Sequence, residues 1–325
     1  MNSSKNHFLT QFENRLGNIL SWDQESSNSA EPTLFSAARH LCLAGGKRAR
    51  PKLTYFFSKA LELELPEVLD IAIAAEFIHN ASLLHDDVID HGKLRRGNPT
   101  ANVVWDDLTA VLAGDILLAE SIRILNNCPR IVAQEALSLV SSMTKATMLE
   151  AHIRNKINVS IQEWEFIADG KTSSMFRWCG RSIGYLGNNP DATERFGSFG
   201  THFGLAFQMA DDVVDMQYDD GKTPFADLRN KNPNYPIIKA CELSKGIQKD
   251  LEKLWAQETV SEIGIQQLGL AICSSGAIEH CVERINQEVQ FSIEALGSYA
   301  QKPGCQEIAT WALAMCQRFQ RSEAV

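Results

Sequence analysis

Apolar side chains in this chain recur every three or four residues over long stretches, and that spacing constrains its fold more than any other feature. Residues 68–84, 109–125, 133–152, 196–214 and 278–295 all carry it. Positions i, i+3 and i+4 share one face of an α-helix, so each stretch predicts a helix with a buried face. Strand signals are poor. Period-2 runs of Val, Ile, Thr and Tyr are few, and the hairpin-type dipeptides Asp169-Gly170 and Asp220-Gly221 lack alternating flanks. The expectation is an all-α protein. A hydrophobic fraction of 44% in 325 residues is ample for its core. The Pro and Gly clusters at Asn188-Asn189-Pro190, 221–236 and Lys302-Pro303-Gly304 are short and read as turns. One domain over 1–325 is expected, with a polar segment over 1–30.

Two copies of one acidic pattern interrupt the apolar runs: Asp86-Asp87-Val88-Ile89-Asp90 and Asp211-Asp212-Val213-Val214-Asp215, 125 residues apart. On a helix Asp86 and Asp90 project together, as do Asp211 and Asp215. Carboxylates in apolar surroundings are costly unless a positive group neutralises them. A hard divalent cation is the obvious candidate, since Mg²⁺ takes one or two carboxylates plus water and substrate phosphates. Two helices facing across a cavity would then clamp a metal-diphosphate between acidic walls. The competing account is N-capping, where Asp is favoured. Asp106-Asp107 and Asp219-Asp220 lack the third Asp and read as helix starts or loops.

Basic residues complement these acids. Gly45-Gly46-Lys47-Arg48-Ala49-Arg50 follows an amphipathic stretch over 33–44. The glycines stop the helix and let backbone N–H groups approach an anion, while Lys47 and Arg50 supply charge. Basic residues satisfying a helix C-terminus are the alternative there. Arg95-Arg96-Gly97 follows the first acidic motif, as ion-pair partners or as forked phosphate ligands. Lys171-Thr172 adds a cation and a hydroxyl, and Lys222 follows the second motif by seven residues. No Gly-x-x-x-x-Gly-Lys-Ser/Thr loop occurs.

Net charge is −9, which disfavours nucleic acid as a partner. Eight cysteines are scattered without a Cys-x-x-Cys pair, so zinc is not expected and reduced cytoplasmic thiols are. No signal-peptide pattern opens the chain, and no apolar run is long enough to predict a transmembrane helix.

With these motifs in order, the chain resembles the trans-isoprenyl diphosphate synthases, and among them the bacterial octaprenyl-type enzymes. The stretch from Phe77-Ile78-His79-Asn80-Ala81-Ser82-Leu83-Leu84-His85 into the first acidic motif is similar to that family's first aspartate-rich motif. Leu94-Arg95-Arg96-Gly97-Asn98-Pro99-Thr100 continues it, Gly114-Asp115 follows, and Gly204-Leu205-Ala206-Phe207-Gln208 leads into the second motif. The resemblance implies the isoprenoid synthase fold of long helices around a central cavity, a homodimer, and condensation of isopentenyl diphosphate with an allylic diphosphate. It implies about three Mg²⁺ per active site, with Mn²⁺ as a substitute. Asp86, Asp90 and Asp211 would bind metal, supported by Asp87, Asp212 and Asp215. Arg95, Lys171 and Lys222 would hold the allylic diphosphate. Lys47, Arg50, His79 and Arg96 would hold isopentenyl diphosphate, and Thr172 and Gln208 would steady the developing cation. His85 and His91 read as packing or supporting residues.

Small residues at Ala81 and Ser82, one turn before Asp86, leave the pocket open, which by resemblance favours long products such as a quinone side chain. Farnesyl or geranylgeranyl diphosphate synthesis is the shorter alternative, and membrane contact is expected to be transient. Several positions depart from the family. Phe225-Ala226 stand where Gly and an acidic residue are usual, and Asn232 replaces a lysine for which Lys231 could substitute. Thr147 alters a pattern in which Glu150 remains. These changes keep open a non-catalytic subunit of a heteromeric synthase. A terpene cyclase fits less well, because its second motif differs and it has no use for residues 46–50.

Overall fold

The computed structural model describes residues 2–21, 31–64, 66–216 and 224–320. In chain order the helices are α1 (Asn2–Ile19), α2 (Glu31–Cys42), α3 (Ala49–Ala60), α4 (Pro66–Ile89), α5 (Ala101–Val104), α6 (Asp107–Ile124), α7 (Arg130–Ile153) and α8 (Ile161–Ala168). They continue as α9 (Ser174–Leu186), α10 (Pro190–Asp215), α11 (Ala226–Arg229), α12 (Tyr235–Leu243), α13 (Lys245–Trp255), α14 (Glu262–Cys273), α15 (Ala277–Ala295) and α16 (Pro303–Gln320). The five periodic stretches fall in α4, α6, α7, α10 and α15. Among the described residues the only strands are β1 (Leu94–Arg95) and β2 (Asn98–Pro99), which pair antiparallel.

The chain forms two compact units: residues 1–138, 179–194 and 302–304, and residues 139–178, 195–301 and 305–325. In the first unit α4 packs against α3 and α6 and is buried on nearly every side, including the whole run 71–78. A helix apolar all round is a core helix. Its buried Asp70 is paired with Arg15 of α1. Asp106 caps α6, its carboxylate accepting from Thr109 N at 2.6 Å, as a helix-start Asp should.

The second unit is built on α10 and its aromatic rings. Phe203 meets Phe176 edge-on at 5.1 Å and Trp311 at 5.0 Å. Gly200 and Gly204, one turn apart, let α10 lie directly on the 173–176 backbone. A Cβ on Gly200 would stand 2.4 Å from the Phe176 carbonyl, and one on Gly204 2.3 Å from Ser173 Cα. The next turn of α10 therefore brings Gln208 against Thr172. The Asp169-Gly170 dipeptide is no hairpin turn: Asp169–Ser173 forms a π-helical turn between α8 and α9.

Candidate active site

Both acidic triplets sit at the C-terminal ends of long helices, Asp86, Asp87 and Asp90 at the end of α4 and Asp211, Asp212 and Asp215 at the end of α10. The N-capping alternative is thereby excluded. Helix carbonyls gather at this end and carry partial negative charge, so carboxylates here gain nothing from the helix. A cation at the same place gains from both.

Within the first triplet the roles divide. Asp87 is buried, and Arg95 grips it with Nε on both carboxylate oxygens at 2.8 and 3.0 Å and Nη2 at 2.8 Å. Burial pushes the Asp87 carboxyl up and Arg95 opposes that. Asp86 is half-buried and Asp90 exposed. The sequence offered Arg95 either a carboxylate or a phosphate, and in this structure it holds the carboxylate.

Arg95 is placed by the β1–β2 hairpin, which sequence reading missed because its strands are two residues long. Its turn residues Arg96 and Gly97 both take positive φ, 54° and 77°, as a tight primed turn requires. Arg96 donates to the carbonyls of Gly45 at 2.5 Å and Leu41 at 3.3 Å. Its guanidinium lies over Gly46, where a Cβ would meet it at 3.2 Å. Gly45 and Gly46 take φ of 80° and 137°, which suits residues without a Cβ. The amphipathic stretch does end before them, at Cys42.

Lys47 is exposed and its carbonyl accepts from Lys52 Nζ at 2.6 Å, whereas Arg50 is buried in the first turn of α3. His79, on α4, is half-buried. Burial first, then Arg50, Arg96, Arg95 and Arg48, hold its imidazole well below the usual histidine range, so it is neutral at pH 7. Ala81 is buried, and Ser82 is half-buried with its hydroxyl on the His79 carbonyl at 2.8 Å. His85 contacts the Val111 carbonyl at 3.1 Å and rests on Gly114. His91 is exposed, at φ 51°, just past the end of α4.

In the second unit Thr172 Oγ1 donates to Gln208 Oε1 at 2.7 Å, and Gln208 Nε2 donates to Asp212 Oδ1 at 3.0 Å. Asp212 is buried and takes two further donors, Trp164 Nε1 at 2.8 Å and Tyr235 N at 3.1 Å. Burial, with Asp227 adding to it, raises its pKa well above the carboxylate range. Asp211 is exposed. Asp215 accepts from the backbone N–H groups of Ala226 at 3.0 Å and Asp227 at 3.1 Å. Lys171 pairs with Glu150 at 2.5 Å, so the glutamate of the altered α7 pattern is a ligand of that lysine.

The altered loop has physical explanations. Phe225, at φ 61°, is buried over Gly269, where a Cβ would come within 2.6 Å of the ring. Asn232 and Asn234 donate to Asp227 at 3.0 and 2.9 Å. Asp227 is nevertheless pushed up to about 7, by burial first and by Asp215 second. Lys231 does not stand in for the missing lysine: its ammonium caps the end of α13, on the carbonyls of Trp255 at 2.7 Å and Gln257 at 2.9 Å. Lys222 lies outside the described residues.

Among the described residues no three acidic, His or Cys side chains converge into a metal cage. Pairs of carboxylates suit Mg²⁺, which completes its shell with water and phosphate oxygens. No described helix is long and apolar enough to cross a membrane.

A sequence model described as polyprenyl synthetase matches residues 31–269. The chain is 31% identical over 280 residues to the all-trans-nonaprenyl-diphosphate synthase (geranyl-diphosphate specific) of Rhodobacter capsulatus, covering 84% of this chain and 85% of that one. It is 31% identical to the farnesyl diphosphate synthase of Haemophilus influenzae, covering 78% of this chain and 94% of that one. The crystal structure of a decaprenyl diphosphate synthase from Rhodobacter capsulatus is similar with a TM-score of 0.87 at 26% identity, over 96% of this chain and 97% of that one.

Proposed function

The chain belongs to the polyprenyl synthetase family and has its all-α fold, and from that premise we propose that this trans-prenyltransferase extends an allylic diphosphate with isopentenyl diphosphate, using Mg²⁺. The observation that carries the proposal is the pair of acidic triplets at helix C-termini, with Lys171, Arg95, Arg96 and Arg50 close by in sequence or structure. The family match takes in parts of both compact units, which supports reading them as one functional domain.

Asp86, Asp90 and Asp211 are the residues that would hold Mg²⁺, whose charge would ease departure of the allylic diphosphate. Lys171, Arg95 and Lys222 share that anion. Lys47, Arg50, Arg96 and neutral His79 receive isopentenyl diphosphate, His79 as a hydrogen-bond donor. The Thr172–Gln208 pair turns oxygen dipoles toward the carbon that becomes positive, and fixed dipoles aimed at developing charge are the largest lever such a site has. The isopentenyl double bond attacks that carbon and the proton then lost goes to the departing diphosphate. No protein nucleophile is needed.

The relatives make products from farnesyl to decaprenyl length by their names. The small Ala81 and Ser82 favour a long product here, of octaprenyl type. A homodimer is part of this reading, and exposed Leu108 and Leu112, one turn apart on α6, offer it an apolar strip. A cytoplasmic enzyme that touches the membrane only to release product fits the absence of a spanning helix among the described residues.

The test is a product assay with labelled isopentenyl diphosphate, farnesyl diphosphate and Mg²⁺, followed by dephosphorylation and chromatography. One long polyprenol, lost in Asp86→Ala, is the expected result. No incorporation with any allylic primer would refute catalysis by this chain. It would favour a non-catalytic subunit, a reading that the neutral Asn232 and the diverted Lys231 otherwise motivate.

A further inference from the structure

Arg48 stands between Lys47 and Arg50, yet its own guanidinium is fully engaged inside the first unit. Nε and Nη2 donate to the Glu13 carboxylate at 2.7 and 3.0 Å, and Nη2 also reaches the Cys42 carbonyl at 2.9 Å. Nη1 donates to Glu76 Oε1 at 2.6 Å. Glu76 is 2% exposed and lies on α4 one turn before His79. The Asn80 amide donates to the Glu76 carbonyl at 2.7 Å and lies 3.4 Å from the same carboxylate oxygen. Burial works against the charged forms of Arg50 and Arg96, and in both the Glu76 carboxylate opposes it. One buried acid thus serves three guanidinium groups.

We propose that Glu76 is the positioning residue of the isopentenyl diphosphate site, a role that rests on the function proposed above. It touches no substrate. By holding Arg48 inward it sets the left-handed turn at that residue, φ 47°, from which Lys47 and Arg50 project. Its charge also offsets the repulsion between Arg50 and Arg96. Without it, the guanidinium groups repel one another, and Arg48 is free to turn toward the place where phosphate binds.

The test compares the parent with Glu76→Gln and with Asp70→Asn, which removes a buried carboxylate of the same helix that is paired to Arg15. Calorimetry with isopentenyl diphosphate in Mg²⁺-free buffer reads binding apart from turnover. Kinetics with each substrate varied separately reads the two KM values. Glu76→Gln should weaken isopentenyl diphosphate binding and raise its KM roughly tenfold, with the KM for farnesyl diphosphate within about twofold of the parent's. Asp70→Asn should lower the melting temperature and leave both KM values alone. A folded Glu76→Gln protein with parental affinity, or equal rises in both KM values, would overturn the proposal. If Glu76→Gln does not fold, Glu76→Asp, which keeps the charge but draws it back from Arg48, decides: a roughly twofold to threefold weaker isopentenyl diphosphate affinity supports it and parental affinity refutes it. A parent that binds isopentenyl diphosphate but makes no product refutes the proposed reaction, while the binding comparison still decides the role of Glu76. A parent that binds none refutes both.

Discussion

Thr172 on the π-helical turn and Gln208 on α10 are joined by a 2.7 Å hydrogen bond between their side chains. The bond fixes which way the Gln208 amide faces, and its nitrogen then continues to Asp212 at 3.0 Å. A hydroxyl, an amide and a buried carboxylate therefore form one chain of donors and acceptors.

Thr172→Val keeps the shape of that side chain and removes the donor. It should cost about 1 kcal/mol of stability in urea unfolding, the usual worth of such a bond. If the pair acts as proposed, on charge that develops only during reaction, the turnover number should fall more than the KM values. A parental turnover number would refute a role in the chemistry.

Arg95→Ala leaves the Asp87 carboxylate buried without its partner. Arg95 is about one-third exposed, so water offsets part of the loss, and a destabilisation of about 2 kcal/mol is expected. Adding Asp87→Asn should recover much of it. A double variant no more stable than Arg95→Ala would show that the pair is not what holds this end of α4.

Two glycine substitutions should differ in how they can be rescued. In Gly114→Ala the new Cβ would stand 2.2 Å from His85 Nε2, and in Gly204→Ala 2.3 Å from Ser173 Cα. Overpacking of this kind costs about 1–3 kcal/mol. Removing the ring with His85→Ala should restore much of the Gly114→Ala loss. No side-chain removal at Ser173 should rescue Gly204→Ala, because backbone is in the way. Thermal unfolding of the four proteins checks both expectations.

Glu288 is buried and accepts from His202 at 2.7 Å and Arg284 at 2.8 Å. Burial alone would raise its pKa, but these two partners outweigh it and hold the carboxyl below its ordinary value. A depressed folded-state pKa adds stability at neutral pH that is lost as pH falls through that lower value. The stability gap between the parent and Glu288→Gln should thus be widest near pH 7 and narrow on acidification below about pH 4. A gap independent of pH would refute the assignment.

Ala81→Phe places a ring at a fully buried position one turn before Asp86. It should shorten the polyprenyl product, and the added volume should cost about 1–3 kcal/mol of stability. Chromatography showing an unchanged product length would remove Ala81 as a determinant of chain length.

The helical periods of α4, α6, α7, α10 and α15 and the two acidic triplets were legible in the sequence because both are local patterns. Residues three and four apart share a helix face whatever lies opposite. What lies opposite was not legible. The sequence alone left the triplets free to be N-caps, and only the folded chain places them at helix C-termini. Asp87 turned in to Arg95 depends on a hairpin whose strands are too short to leave a pattern. The Thr172–Gln208 bond spans 36 residues and depends on Gly200 and Gly204 letting α10 approach the 173–176 backbone. Lys231 reads as a spare cation for the site until α13 supplies carbonyls for it, and Glu76 reads as one more polar residue of an apolar run until Arg48 closes on it. Spacing along a chain determines which side chains stand together on one element. Which groups meet from distant elements is decided by packing, where each buried charge or polar atom must find its partner.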